Sequence, residues 1–156
     1  MKTRELQQLW WDWLGTSERL LRSLYEQTAA LTLRNVERVE RIQPELDQMM
    51  AKLRELDSQA VTLAHKLAEE LGTEPNLRSL VSVLEKAEAQ SLQGLGNRVT
   101  VAARNVQDVL KKNRKLIENE MTYINGSLTL IAKAAVQAKG PFNSSQSDSV
   151  LVDQAA

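Results

Sequence analysis

From Asn97 to about Gln137, apolar residues recur in steps of three and four: Val99, Ala103, Val106, Leu110, Ile117, Met121, Ile124, Leu128, Ile131 and Ala135. That spacing lays them along one stripe of a single amphipathic helix. A helix of about 40 residues would be about 60 Å long, far more than short neighbours in the same chain can cover. Part of the stripe is therefore expected to be left for another chain. Asn113 holds the stripe position between Leu110 and Ile117. The steps from Asn113 to Ile117 and on to Met121 are both four, a stutter that would locally unwind a supercoil.

The rest of the chain is suited to packing against such a helix. It has 156 residues, enough for one domain, and 42% of them are hydrophobic, with only six Gly and three Pro; this points to an all-α fold. Aromatics make up only 4%, so Leu, Val, Ile, Ala and Met must build the core. The expected architecture is an elongated antiparallel helical bundle, or coiled-coil hairpin, with a long C-terminal helix and a flexible tail. With no Cys and a single His, disulfides and thiolate metal sites are excluded. MKTRELQQLWWDWLG lacks the apolar run of a signal peptide and no stretch reaches the length of a membrane span, so a cytoplasmic protein is expected.

In chain order, Leu6, Leu9, Trp10, Trp13, Leu14, Leu20, Leu21, Leu24 and Leu31 predict a helix over about 3–33. Neighbouring helix positions lie about 100° apart, so Trp11 is expected at the edge of the face that Trp10 and Trp13 bury. Gly15 with Thr16 and Ser17 offers a frayed turn and a fresh helix start. Asn35 is the predicted N-cap of a second helix over 36–71, whose seam runs Val39, Ile42, Leu46, Met49, Leu53, Leu56, Ala60, Leu63 and Leu67. Pro44 falls inside that seam, and a kink is expected there. Gly72 and Pro75 end it. A short helix over 77–87 and the long one over 90–137 complete a single domain of residues 1–139. The long helix is read back past Gly94 and Gly96 because Leu92 and Leu95 keep its spacing. Gly140-Pro141 stops it, leaving 140–156 as a tail that carries Phe142.

Catalysis has little to work with. His65 falls on the flank of the second helix with no other His or Cys to join it, no acidic pair has a His four residues on, and no glycine-rich phosphate loop is present. The expectation is a protein that is not an enzyme and needs no cofactor or metal. Between Asn97 and Lys139 there are eight basic and three acidic residues, a local net of +5 in a chain of net charge zero. A solvated basic face or an acidic protein partner fits this better than nucleic acid, because no aromatic is interleaved with the charges.

The segment NVQDVLKKNRKLIENEMTYINGSLTLI, Asn105 to Ile131, resembles the closing helix of FlgN-type flagellar export chaperones. The matching positions are Leu110, Asn113, Leu116, Ile117, Met121, Tyr123 and Ile124. LRNVERVERIQPELDQMMAKLRELDSQAVTLAHKLAEELG is similar to the family's second helix, and the likeness covers roughly Leu20 to Ala135. Two departures are Leu110, where many members carry a second polar residue, and Phe142, where Tyr is more usual. The resemblance implies a cytoplasmic chaperone that keeps hook-filament junction proteins soluble for flagellar type III export, with the export gate as a further partner. An amphipathic helix of the client would lie on the stripe, as in helix-in-groove recognition. The expected partner-binding residues are Asn113, Leu116, Ile117, Met121, Ile124, Leu128 and Ile131, with Asn113 setting register and Phe142 a candidate for tail docking. The alternatives are a helical-bundle adaptor or homodimeric coiled-coil spacer, in which the stripe is structural, and binding of the basic helix to a membrane surface without insertion.

Overall fold

The computed structural model describes residues 2–139, with the side chains of position 120 and of 122 onward left aside. Among the described residues the fold is all-helical: α1 Arg4–Thr32, α2 Val36–Leu71, α3 Leu77–Val83 and α4 Lys86–Lys139. The tail position Phe142 lies outside the described residues.

α1 runs unbroken through Gly15, correcting the expected fresh start there. Thr16 donates from its hydroxyl to the Asp12 carbonyl (2.9 Å) and Ser17 to the Leu14 carbonyl (2.7 Å), so both polar side chains are satisfied locally while buried. The α1–α2 turn is tight. Leu33 closes α1, Arg34 takes the left-handed conformation (φ 55°), and Asn35 accepts from the Arg38 N–H (3.1 Å) as the N-cap of α2. Pro44 stays inside α2 on an exposed face, so it costs one backbone hydrogen bond without ending the helix. Gly72 terminates α2 in the left-handed region (φ 66°).

α3 ends at Val83 rather than near position 87, and α4 opens at Lys86, upstream of position 90. The cause is Leu84, whose extended backbone (φ −91°, ψ 157°) separates the two helices. α4 then passes through both glycines. Space is short at Gly96: a Cβ would fall 2.7 Å from Leu77 Cδ2, which would have to shift, and 3.4 Å from the Trp10 ring, whereas nothing lies within 4 Å of a Cβ at Gly94.

Contacts between the helices obey two simple registers. Gln27 meets Gln43, so α2 runs antiparallel to α1, and a sum of about 70 relates facing positions. Thr3 meets Glu88 and Thr28 meets Asn113, both 85 apart, so α4 runs parallel to α1. α1 is thus the central element, flanked by α2 and α4. One core cluster, with Leu6, Leu67, Leu80 and Leu92, closes the end where α3 crosses. The larger cluster runs from Trp13 and Leu95 through Leu24, Leu46 and Val106 to Ile117 near the α1–α2 turn. Trp11 sits at the rim, 48% exposed, with the Arg98 guanidinium 4.7 Å above its ring. The buried Trp13 indole N–H is directed to the Asp57 carboxylate; burial raises that carboxyl, and the Trp13 N–H partly offsets the rise.

Candidate functional site

The far end of the α1–α4 interface is built around a polar layer. Asn113 is 2% exposed. Its Oδ1 accepts from the Thr28 hydroxyl (2.6 Å), and its Nδ2 donates to the Leu24 carbonyl (2.9 Å) and to Gln27 Oε1 (2.9 Å). Gln27 Nε2 donates to Gln43 Oε1 (3.3 Å), and Gln43 Nε2 donates to Asp47 Oδ1 (3.0 Å). Thr28 has one hydroxyl proton, and its oxygen is also 2.9 Å from the Leu24 carbonyl. The shorter contact to Asn113 takes the proton, since Asn113 Nδ2 already serves Leu24. Donation therefore runs one way, from Thr28 through Asn113, Gln27 and Gln43 to Asp47. A carboxylate at one end that only accepts leaves no freedom to flip the three amides.

This layer marks where α1 runs out. With an offset of 85, Ile117 lies level with Thr32, the last residue of α1. α4 continues to Lys139. Residues 118–139 therefore carry the helix about 33 Å past the end of α1.

Of the residues assigned to partner binding by sequence, Asn113 and Ile117 are enclosed within the chain's own bundle, 2% and 3% exposed. Leu116 and Met121 are half-buried against the same core. Ile124, Leu128 and Ile131 belong to α4, but their side chains lie outside the described residues. The structure brings Asn113 together with Gln27, Thr28 and Gln43, which sequence reasoning did not single out. The signal was present: Gln27 and Thr28 fill the gap between Leu24 and Leu31 in the α1 stripe, and Gln43 adjoins Ile42 in the α2 seam.

At the near end a second polar contact does a different job. Glu88 is buried, and its Oε1 accepts from the Thr3 backbone N–H and from the Thr3 hydroxyl, both at 2.7 Å. Thr3 makes no side-chain cap of its own, so α4 supplies the acceptor for the first turn of α1. Burial would raise the Glu88 carboxyl, but the two Thr3 hydrogen bonds, together with the charge of the chain's amino terminus and the Lys2 backbone N–H, hold the group below its ordinary value.

Among the described residues no group of three or more His, Cys, Asp or Glu could hold a metal ion, and no helix is long and apolar enough to cross a membrane. Against known protein families, residues 1–141 match the family described as FlgN protein. The chain belongs to the FlgN family. FlgN proteins are flagellar export chaperones, which bind export substrates, and this role is the one the chain carries. No curated protein and no solved structure matches the chain.

Proposed function

We propose that this FlgN protein is a cytoplasmic, non-catalytic chaperone for hook-filament junction proteins, holding them soluble for type III export. The client's amphipathic helix lies along α4 beyond Ile117, on the stripe that the sequence continues through Met121, Ile124, Leu128 and Ile131. One observation carries this reading: α1 ends level with Ile117 while α4 runs on to Lys139. Asn113 and Ile117 then act as the anchor of the binding helix, with Asn113 fixing its register, and Leu116 stands at the border. Phe142 is the candidate for tail docking.

The test is the double substitution Ile124→Asp with Leu128→Asp, assayed for binding to a purified junction protein. Loss of binding with the melting temperature unchanged is expected. A fall in melting temperature would instead return these residues to the chain's own core. Sedimentation separates this reading from a homodimeric spacer, which would run as a tight dimer without any client.

A further inference from the structure

The side of α1 that faces away from the core carries a row of its own. Trp11, Gly15, Glu18, Arg22, Tyr25 and Ala29 follow one another in alternating steps of four and three, and every one of them is exposed. At about 100° per residue the row stands opposite Leu20 and Leu24, which are 0% and 1% exposed in the core. Two of its positions are aromatic, Trp11 at 48% and Tyr25 at 56% exposure, in a chain with only three Trp, two Tyr and one Phe.

The row is complementary to itself read backwards. Positions whose numbers sum to 40 pair a large side chain with a small one, Trp11 with Ala29 and Tyr25 with Gly15, and an acid with a base, Glu18 with Arg22. Gly15 leaves room for a ring, since nothing lies within 4 Å of a Cβ built there. α4 shares the same centre. Its offset of 85 turns a sum of 40 into one of 210, at which Val101, 55% exposed, pairs with half-buried Val109, and Asn105 pairs with itself. Between the two helices runs a trough of about 420 Å³, whose lining includes Leu14, Leu21, Val101 and Ala102.

We infer that this face binds a second copy of the chain, antiparallel, about a two-fold axis level with Leu20 and Asn105. A two-fold contact requires a surface that complements itself. Antiparallel pairing supplies that, setting each Glu18 against Arg22 of the other copy and each exposed ring against Gly15 or Ala29. Parallel pairing would set Glu18 on Glu18 and ring on ring. The dimer is weak. Arg98, held over the Trp11 ring at 4.7 Å, faces Lys112 of the other copy as a like charge. The face, about 27 Å long and about 20 Å wide, is also smaller than a standard stable interface. Antiparallel copies send their α4 extensions to opposite ends, so the contact neither needs nor blocks the client site proposed above, and the two stand or fall separately.

The test is sedimentation equilibrium of the full chain alone, in a concentration series reaching millimolar. The parent should pass reversibly from monomer to dimer. Glu18→Arg should weaken association by about tenfold, and Glu18→Arg with Arg22→Glu, which exchanges the two signs, should restore it to within about threefold of the parent. Both positions are exposed, and an unchanged helical circular dichroism signal confirms that each variant folds. Because the chain has no Cys, single-cysteine variants report the geometry directly. Gly15→Cys mixed with Tyr25→Cys should form a disulfide-linked dimer under mild oxidation, while each variant alone should not, since antiparallel copies hold like positions about 15 Å apart. A parent that stays monomeric throughout overturns the inference and leaves the face to a different protein. A dimer that the sign exchange does not restore, or one in which Gly15→Cys alone cross-links as readily as the mixture, overturns it too.

Discussion

The two ends of the α1–α4 interface differ in the polar contact that accompanies their apolar packing. At the end near α3, Leu6 (1% exposed) and Leu92 (0%) are sealed in an apolar cluster, and Glu88 ties the start of α1 to α4. At the other end the centre of the contact is an amide, Asn113, in a chain of hydrogen bonds spanning three helices. Apolar burial stabilises in proportion to area, whereas a hydrogen bond formed in the fold replaces one with water and contributes only about 1 kcal/mol net. Both ends are sealed by apolar burial, Leu24, Ala30 and Ile117 at the far one, but only the far end adds a polar layer across three helices. The difference teaches that apolar packing holds α4 along its length while the amide layer fixes its alignment where it leaves.

The largest effect expected from this contrast is at the apolar end. Leu92→Ala should destabilise the protein by about 3–4 kcal/mol, read from denaturant unfolding, because a fully enclosed side chain leaves a cavity. At the paired end Asn113→Ala should cost about 2 kcal/mol, because it leaves a void and strands Gln27 Oε1, while the Thr28 hydroxyl falls back on the Leu24 carbonyl. Replacing the layer as a whole, Asn113→Leu with Gln27→Leu and Gln43→Leu, should cost less than Asn113→Ala alone. If the triple variant were the less stable of the two, the amides would be contributing more than mutual satisfaction, and the contrast would break.

A smaller effect concerns pH. The Glu88 carboxyl is lowered in the folded state, so its contribution is present above its unfolded value, near the usual 4.5, and is lost as pH falls through the lower folded value. Glu88→Gln should therefore flatten the acid limb of a stability-against-pH curve, by about 1 kcal/mol between neutral pH and the acid limit. The smallest test separates two glycines one turn-fraction apart. Gly94→Ala should stabilise the protein by at most about 1 kcal/mol, since the added methyl meets nothing. Gly96→Ala should yield less or reverse sign, because Leu77 must move aside. Equal melting temperatures for the two would mean that Leu77 and Trp10 do not press on α4 at Gly96.

Much of the architecture was legible from residue spacing. Asn35 and Gly72 punctuate α2 through local chemistry, a side-chain cap and a left-handed backbone, and both read directly from the sequence. Trp11 at the rim follows from the angle between adjacent helix positions. The misreadings were where local rules gave way to tertiary contact. Gly15 suggests a break, yet α1 continues because α2 and α4 grip it on both sides. The start of α4 was misplaced because Leu84 adopts an extended backbone, which its apolar side chain does not advertise. Asn113 was visible as a polar residue in an apolar stripe, but its partners sit 85 to 89 residues away, beyond the reach of any periodicity argument.

By itself, then, the sequence determined that this chain is helical, which face of each helix is apolar, and that α4 is too long for its neighbours, since these follow from steps of three and four along the chain. Tertiary structure alone decided that α4 lies parallel to α1 at an offset of 85, and hence that Asn113 and Ile117 are enclosed while the helix runs on beyond them. The physical reason is that a repeating stripe is compatible with several alignments, and only side chains that meet in three dimensions, Thr3 with Glu88 and Thr28 with Asn113, single out one.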